Sequence, residues 1–344
     1  MNSRFLSLST AITLALSLLS GCVNPFSPPP KRWETTYFDL FDTVTTVVGY
    51  AQKEEDFLSA AHAIHDQLTE YHRLYDIYNE YDSLVNLKTV NETAMHAPVK
   101  VDKKIMDLLL FCRELYDTSN GKVNAALGSV LSLWHDARTK GTADPAAAAL
   151  PSLVALSEAA LHTDFESIVL DETTSTVLLS DPETQLDVGA VAKGFAVEQV
   201  CRSAPAGMLI NAGGNVRVTG PKPTEDTPWS VGVQNPDGED FLLTLQLSNG
   251  ATATSGDYQR AYIVNGIPYH HIIDPDTLYP ATYWRAVTVI CGDAGLADGL
   301  STALFTLSRE EGEAMLKVFD AHALWVDQEG QITYSPGFES YTNP

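Results

Sequence analysis

Asp187-Val188-Gly189-Ala190-Val191-Ala192-Lys193-Gly194 marks a change in the character of the chain. Before Leu186, apolar residues recur mostly at helical spacing; after it, short strand-like runs dominate. A carboxylate, small residues and then a lysine at a helix start form a place where a nucleotide can approach backbone closely. Asp187 can accept hydrogen bonds from a ribose or ring, and Lys193 offers a point charge to phosphate. Gly-rich strand-to-helix turns also arise for packing alone, so the octapeptide by itself leaves both readings open.

Upstream of this stretch, Phe38 to Tyr50 alternates and is rich in Thr and Val, which predicts a strand. Phe57 to Tyr75 and Lys103 to Tyr116 read as helices, the second stopped by Thr118-Ser119-Asn120-Gly121. Asp171-Glu172-Thr173-Thr174 between two apolar runs reads as a hairpin. Downstream, strands are expected at Met208 to Ile210, Val216 to Val218, Trp229 to Val233, Phe241 to Leu247, Ala261 to Val264, Ala286 to Cys291 and Ala323 to Val326. A helix is expected over Ala294 to Leu307. Helices first and strands later predict an α+β fold with mixed sheets, in two lobes that meet near Thr184.

The composition, 44% hydrophobic and 19% charged, supplies a sizeable core. A formal net charge of −23 argues against nucleic-acid binding, which needs clustered Lys and Arg. Cys112, Cys201 and Cys291 are too widely spaced for a metal motif and are read as buried free thiols.

Three further motifs carry chemistry. Asn211-Ala212-Gly213-Gly214-Asn215 has paired glycines between strands, which alone mark a tight turn. Thr254-Ser255-Gly256-Asp257-Tyr258 precedes Tyr269-His270-His271-Ile272-Ile273-Asp274-Pro275-Asp276-Thr277. Histidine suits proton transfer near neutral pH, and Asp274 could orient it or hold a turn; a His-His pair can equally be a metal site or a satisfied surface pair. In Ala297-Asp298-Gly299-Leu300-Ser301-Thr302, Asp298 and Thr302 share one helix face and form a hard-oxygen pair suited to Mg²⁺, though helix capping uses the same residues.

Together and in this order, Asp-x-Gly-x-x-Ala-Lys-Gly, Asn-Ala-Gly-Gly-Asn, Thr-Ser-Gly-Asp-Tyr, His-Ile-Ile-Asp-Pro and Ala-Asp-x-x-x-Thr resemble the FAD:protein FMN transferase family, the ApbE-like flavin transferases. The resemblance runs from about Phe38 to about Val326 and implies two intimately packed lobes of the ApbE-like, T-fold-related type. It implies an enzyme that binds FAD with Mg²⁺. A client Thr or Ser hydroxyl attacks the phosphate on the FMN side, and AMP leaves. By the same resemblance Asp298, Thr302 and the backbone carbonyl of Ala190 ligate Mg²⁺. Phe41, Tyr78, Asn124, Ala125, Ala126, Asp187 and Lys193 contact FAD, with Ile273 near its ring system, and His271 takes the client's proton. For Phe41 and Tyr78 ordinary core packing is an equal reading. Two other readings stand beside the transferase: an FAD pyrophosphatase using water, and a flavin-binding lipoprotein without turnover. The chain departs from the pattern at Leu278, where the family has Gly, at Ala190, a frequent Gly, and at Asn124, a common Asp.

At the N-terminus, Arg4, the apolar run Phe5 to Leu19 and Leu19-Ser20-Gly21-Cys22 resemble a bacterial lipoprotein signal and lipobox, the alternative being an ordinary secretory signal. The expected organisation is a signal over residues 1–21, a lipidated Cys22 with a Pro-rich tether over 22–36, and a transferase domain over 37–344. The expected location is the cell envelope, lipid-anchored at the inner membrane and facing the periplasm. There the enzyme would meet exported client flavoproteins such as subunits of membrane redox complexes.

Overall fold

A computed structural model describes residues 28–342 apart from 239; the signal and Cys22 lie outside the described residues. An eight-stranded sheet organises the rest. Its strands follow one another in space as they do in sequence: Lys31–Leu40, Thr43–Ala51, Leu209–Ala212, Asn215–Val218, Gly250–Gly256, Ala286–Cys291, Ala321–Val326 and Ile332–Tyr334. These strands pair antiparallel throughout. The Leu127–Gln185 bridge is parallel. Apart from the final turn Phe338–Tyr341, every other element described is an insertion between neighbours of this meander.

Side chains alternate across the sheet, as the pleat demands. Val47, Ala251, Ala253, Val287, Val289, Ala323 and Trp325 enter the larger core. Val48, Ala286, Ile290, Leu324 and Val326 enter a second core, closed by the hairpin of Trp229–Gln234 and Phe241–Leu247 and by Phe338. The strand Ala286–Cys291 is buried at all six positions because both faces are covered. A third cluster joins Leu127, Val130 and Trp134 to Tyr262 and Ile273.

On the larger-core face, the helices Ala192–Cys201 and Ala294–Phe305 pack against each other and on the sheet, backed by the helix Glu54–Tyr75. The α+β class is as expected. The larger core draws on residues from both sides of Thr184, including Leu68 and Leu108 before it and Val197 and Leu300 after it.

Two local expectations need correction, and one strand was not expected. The folded part starts before residue 37, since Lys31–Leu40 is already a strand paired along Thr43–Ala51. Phe38 to Tyr50 is not one strand but the close of this hairpin, turned at Phe41 and Asp42, whose φ values are 52° and 51°. Two left-handed residues in a two-residue loop match the right-handed strand twist, a turn that ordinarily selects Asn-Gly. The strand Gly250–Gly256 escapes a search for large β-formers, because Ala251 and Ala253 are kept small where the helix Ala294–Phe305 lies on them.

A left-handed L-residue costs about 1–2 kcal/mol, and glycine's extra unfolded-state entropy returns about 0.5–1 kcal/mol of any relief. Asp42→Gly is therefore expected to raise the urea midpoint slightly and Asp42→Val to lower it. Equal midpoints for the two variants would contradict the turn.

Candidate active site

A cavity of about 400 Å³ opens where the two sheet-bound helices, the Phe41–Asp42 turn, the helix Gly128–Ala143 and the segment after Gly256 converge. Its floor is set by the contact of two helices. A Cβ on Gly194 would sit 2.2 Å from the Ala294 carbonyl oxygen and 2.5 Å from Asp298 Cβ, so only glycine permits this approach. The Gly194 N–H then donates to Asp298 Oδ2 at 2.9 Å. Lys193 Nζ stands 4.0 Å from the same oxygen. Burial pushes the Asp298 carboxyl above its ordinary range, against the opposing pull of Lys193, the Gly194 N–H and Asn215.

Thr302 lies one turn on and donates to the Asp298 carbonyl at 3.3 Å. Ser255 Oγ is 2.9 Å from Ser301 Oγ and 3.5 Å from Thr302 Oγ1, which ties the helix to the Gly250–Gly256 strand. Val191 and Ala192 donate to the Val188 carbonyl and Phe195 to that of Val191; none of these bonds uses the carbonyl of Ala190, which lines the cavity.

Among the described residues no group of three or more His, Cys, Asp or Glu could hold a metal. The expected set is different in kind: one carboxylate, one hydroxyl and one backbone carbonyl, hard oxygens that suit Mg²⁺ with other positions left to water and phosphate. A second observation fits a cation here. Asn215 Oδ1 is buried without a hydrogen-bond partner on the same cavity, close enough for its side chain to bond Asp298. An orphaned acceptor beside a desolvated carboxylate is costly unless positive charge joins them.

Asp187 also lines the cavity. Its N–H donates to the Ala125 carbonyl at 2.8 Å, and its Oδ1 accepts from the Gly189 N–H at 2.8 Å. Desolvation pushes this carboxyl up as well, while His135, Arg260 and Arg138 pull it down. Asn124 lines the cavity and caps the turn by accepting from the Ala126 N–H at 2.8 Å. Ala125 and Ala126 do not line it; their methyls are in the larger core, and Ala125 acts by fixing Asp187. Phe41 and Tyr78 both line the cavity. Phe41 donates its N–H to His72 Nδ1 at 3.2 Å. Tyr78 is 54% exposed, which excludes core packing, and stacks on His135 with centroids 4.9 Å apart.

The two histidines separate clearly. His270 Nε2 bonds the Ala281 carbonyl at 2.8 Å and its Nδ1 accepts from the Ile272 N–H at 3.2 Å, so both nitrogens serve their own loop. His271 Nδ1 is 3.2 Å from the Gln259 carbonyl. That bond assigns the proton to Nδ1 and leaves Nε2 as an acceptor. Burial first, then the positive charges of Arg260, Lys193, His270 and Arg138, push the His271 pKa down to about 3. Ile273 follows on the cavity wall.

Asp274 holds a turn instead of orienting a histidine. Its carboxylate accepts from Lys122 Nζ at 2.8 Å, and the same ammonium reaches Asp276 at 2.7 Å. Leu278 takes the conformation expected of the glycine it replaces, with φ 62°. The turn has not adjusted; Leu278 bears the strain, packing against the third cluster while its carbonyl accepts from Trp134 Nε1 at 2.9 Å. Cys112, Cys201 and Cys291 are buried free thiols, each pushed up to about 12 by burial.

Arg138, Arg260, His135 and Asn215 also line the cavity and were not among the expected site residues. Arg260 and Asn215 stand in or directly beside quoted motifs, which was a usable signal. Arg138 and His135 lie in a helix with nothing in its spacing to mark them.

Overpacking a close helix contact costs about 1–3 kcal/mol. Gly194→Ala should lower the free energy of unfolding by that amount or more, and the urea midpoint with it, since the obstructing atom is backbone. An unchanged midpoint would mean the helices do not meet as described.

The sequence profile of the ApbE family matches residues 41–325. A protein of Treponema pallidum (strain Nichols) named FAD:protein FMN transferase is 32% identical over 271 residues, 73% of this chain and 73% of the relative. A Klebsiella pneumoniae (strain 342) protein of the same name is 31% identical over 254 residues, 72% of this chain and 76% of the relative. The crystal structure of the ApbE protein from Thermotoga maritima superimposes with a TM-score of 0.80 at 30% identity, covering 91% of this chain and 100% of that one. Floor, wall and histidine loop all lie within the matched span. The chain belongs to the ApbE family.

Proposed function

We propose that the chain is an FAD:protein FMN transferase that moves FMN from FAD to a Thr or Ser hydroxyl of a client protein and releases AMP. The observation that carries this reading is the meeting, in one cavity, of a hard-oxygen site at Asp298 and Thr302 with a neutral histidine whose Nε2 is available. Mg²⁺ held by Asp298, Thr302 and the Ala190 carbonyl would supply positive charge to phosphate oxygens during transfer. Lys193 adds a second positive charge on the same side. His271 Nε2 takes the client hydroxyl's proton while the Gln259 carbonyl holds the ring by Nδ1. The client oxygen forms a bond to the FMN-side phosphorus; the bond from that phosphorus to the bridging oxygen breaks, and its electron pair leaves with AMP. Asp187 and the Asn124 turn give the walls that orient the dinucleotide.

The N-terminal lipobox supports a second part of the proposal: Cys22 is acylated and holds the enzyme at the periplasmic face of the inner membrane. Its clients are then exported flavoproteins, such as subunits of membrane redox complexes.

Purified protein with FAD, Mg²⁺ and an exported client domain should leave flavin fluorescence on the denatured client. No labelled client under any metal condition, with an authentic client, would overturn the reading. A metal's charge stabilisation is worth several kcal/mol, so Asp298→Ala should lower transfer roughly a hundredfold or more. Wild-type rates in that variant would remove the metal assignment. His271→Ala should lose about 10²–10⁴-fold in transfer with FAD binding largely kept.

The pH dependence follows from the same histidine. Its folded pKa lies below the ordinary 6.5, at about 3, so in the free enzyme the neutral, proton-accepting form persists as pH falls through 6.5 and is lost only near the lower value. The acid limb of kcat/KM assigned to His271, by its absence in His271→Ala, should lie well below pH 6.5. A limb at the ordinary value would contradict the buried, cation-flanked ring.

A further inference from the structure

Two arginines in the cavity help to hold His271 unprotonated but are given no contact with the substrate in the mechanism above. Arg138 projects from the helix Gly128–Ala143, and Arg260 follows the Gly250–Gly256 strand by four residues; both line the cavity. In a chain of net charge −23, arginines find carboxylates easily: Arg217 pairs with Glu198 at 2.9 Å, and Arg285 pairs with Asp237. Neither Arg138 nor Arg260 has an ion pair within 4.0 Å among the described residues. Arg138 has an imidazole beside it instead, with Nη2 3.2 Å from His135 Nδ1. Burial and the charge of Arg260 both work against the Arg138 guanidinium, and Asp187 offsets this only from a distance.

Like charges that share a partly desolvated pocket destabilise the ligand-free fold, and a bound anion is what would offset them. The backbone gives a second, independent sign. Arg260 has φ 46°, a left-handed conformation that a long L-residue adopts at a cost and that recurs at ligand sites. A third sign concerns what lies beside the charges. Tyr78, half exposed, stacks on His135, the same imidazole that Arg138 touches. An open aromatic face in the same cavity as two guanidinium groups suits a base joined through a sugar to a phosphate.

We propose that Arg138 and Arg260 form a phosphate subsite for the adenylate half of the dinucleotide, separate from the Lys193–Asp298 floor. The inference rests on the transferase reading. When the bond to the FMN-side phosphorus breaks, the departing AMP phosphate gains negative charge, and two fixed guanidinium groups stabilise that charge where it forms. AMP is then a product that binds through its phosphate as well as its base.

Binding of AMP and of adenosine to the chelator-treated full-length protein, measured by calorimetry, tests this. Wild type should bind AMP at least about tenfold more tightly than adenosine, and Arg138→Gln and Arg260→Gln should each lose about tenfold for AMP. Adenosine affinity and the circular dichroism spectrum should stay unchanged, which a merely structural role would not allow. Arg138→Lys should recover part of the loss, keeping the charge but not the two-pronged donor. Equal AMP and adenosine affinity in wild type, or AMP affinity unaltered in both glutamine variants, would overturn the subsite. Unaltered AMP affinity with a raised KM for the client would also overturn it and give the arginines to an acidic client instead. Flavin transfer by wild type from the same preparation, with Mg²⁺ restored, keeps the two levels apart. Transfer without a phosphate effect sinks the subsite alone, and no transfer sinks the reading beneath it.

Discussion

The contact between Gly194 and Asp298 is the constraint on which the site depends. With no Cβ at residue 194, the helix Ala192–Cys201 can settle on Ala294–Phe305 until its first-turn N–H reaches a buried carboxylate at 2.9 Å. That one bond orients Asp298 toward the cavity. It brings Lys193, the residue before Gly194, to 4.0 Å from the same oxygen. The sheet makes the approach possible from below, since the strand Gly250–Gly256 offers Ala251 and Ala253 where larger residues would lift the helix. Packing and chemistry are the same event here.

Around that floor the protein spends stability on charge. Asp298 and Asp187 are held in places that disfavour ionisation, His271 in a place that disfavours protonation, and Arg138 beside another cation. Each alone is unfavourable in the ligand-free fold, and together they complement a substrate carrying two phosphates and the cation proposed to accompany it. Four of the nine left-handed non-glycine residues among those described stand here: Phe41, Asp42 and Arg260 line the cavity, and Leu278 anchors Trp134, which lines it too.

Most of the architecture was legible where side chains are large. The helices Glu54–Tyr75 and Lys103–Thr118 and the fully buried strand Ala286–Cys291 announce themselves through apolar spacing. The strand Gly250–Gly256 does not, because its inner face must be small. The hairpin turn at Phe41–Asp42 was hidden because Phe41 is not a usual left-handed residue; the fold imposes that conformation on it against local preference. At the site, motif residues were readable as an ordered set: Asp187, Ala190, Lys193, His271, Ile273, Asp298 and Thr302 all line one cavity. The Asn124–Ala126 turn was readable as a unit but not by atom, since Asn124 faces the cavity while Ala125 and Ala126 support it from the core. Arg138 was not readable at all, for a single arginine on a polar helix has no local signal, and its meaning comes from Arg260 122 positions later in the chain.

The central claim is that this cavity transfers FMN and does not merely split FAD. The most direct measurement is the stoichiometry of a single reaction: AMP released from FAD, against flavin gained by the client in its intact mass. The account predicts one AMP for each FMN added to the client, with AMP release falling away when the client's acceptor hydroxyl is removed. Sustained AMP release with free FMN and an unmodified client would contradict it and make water the acceptor at His271.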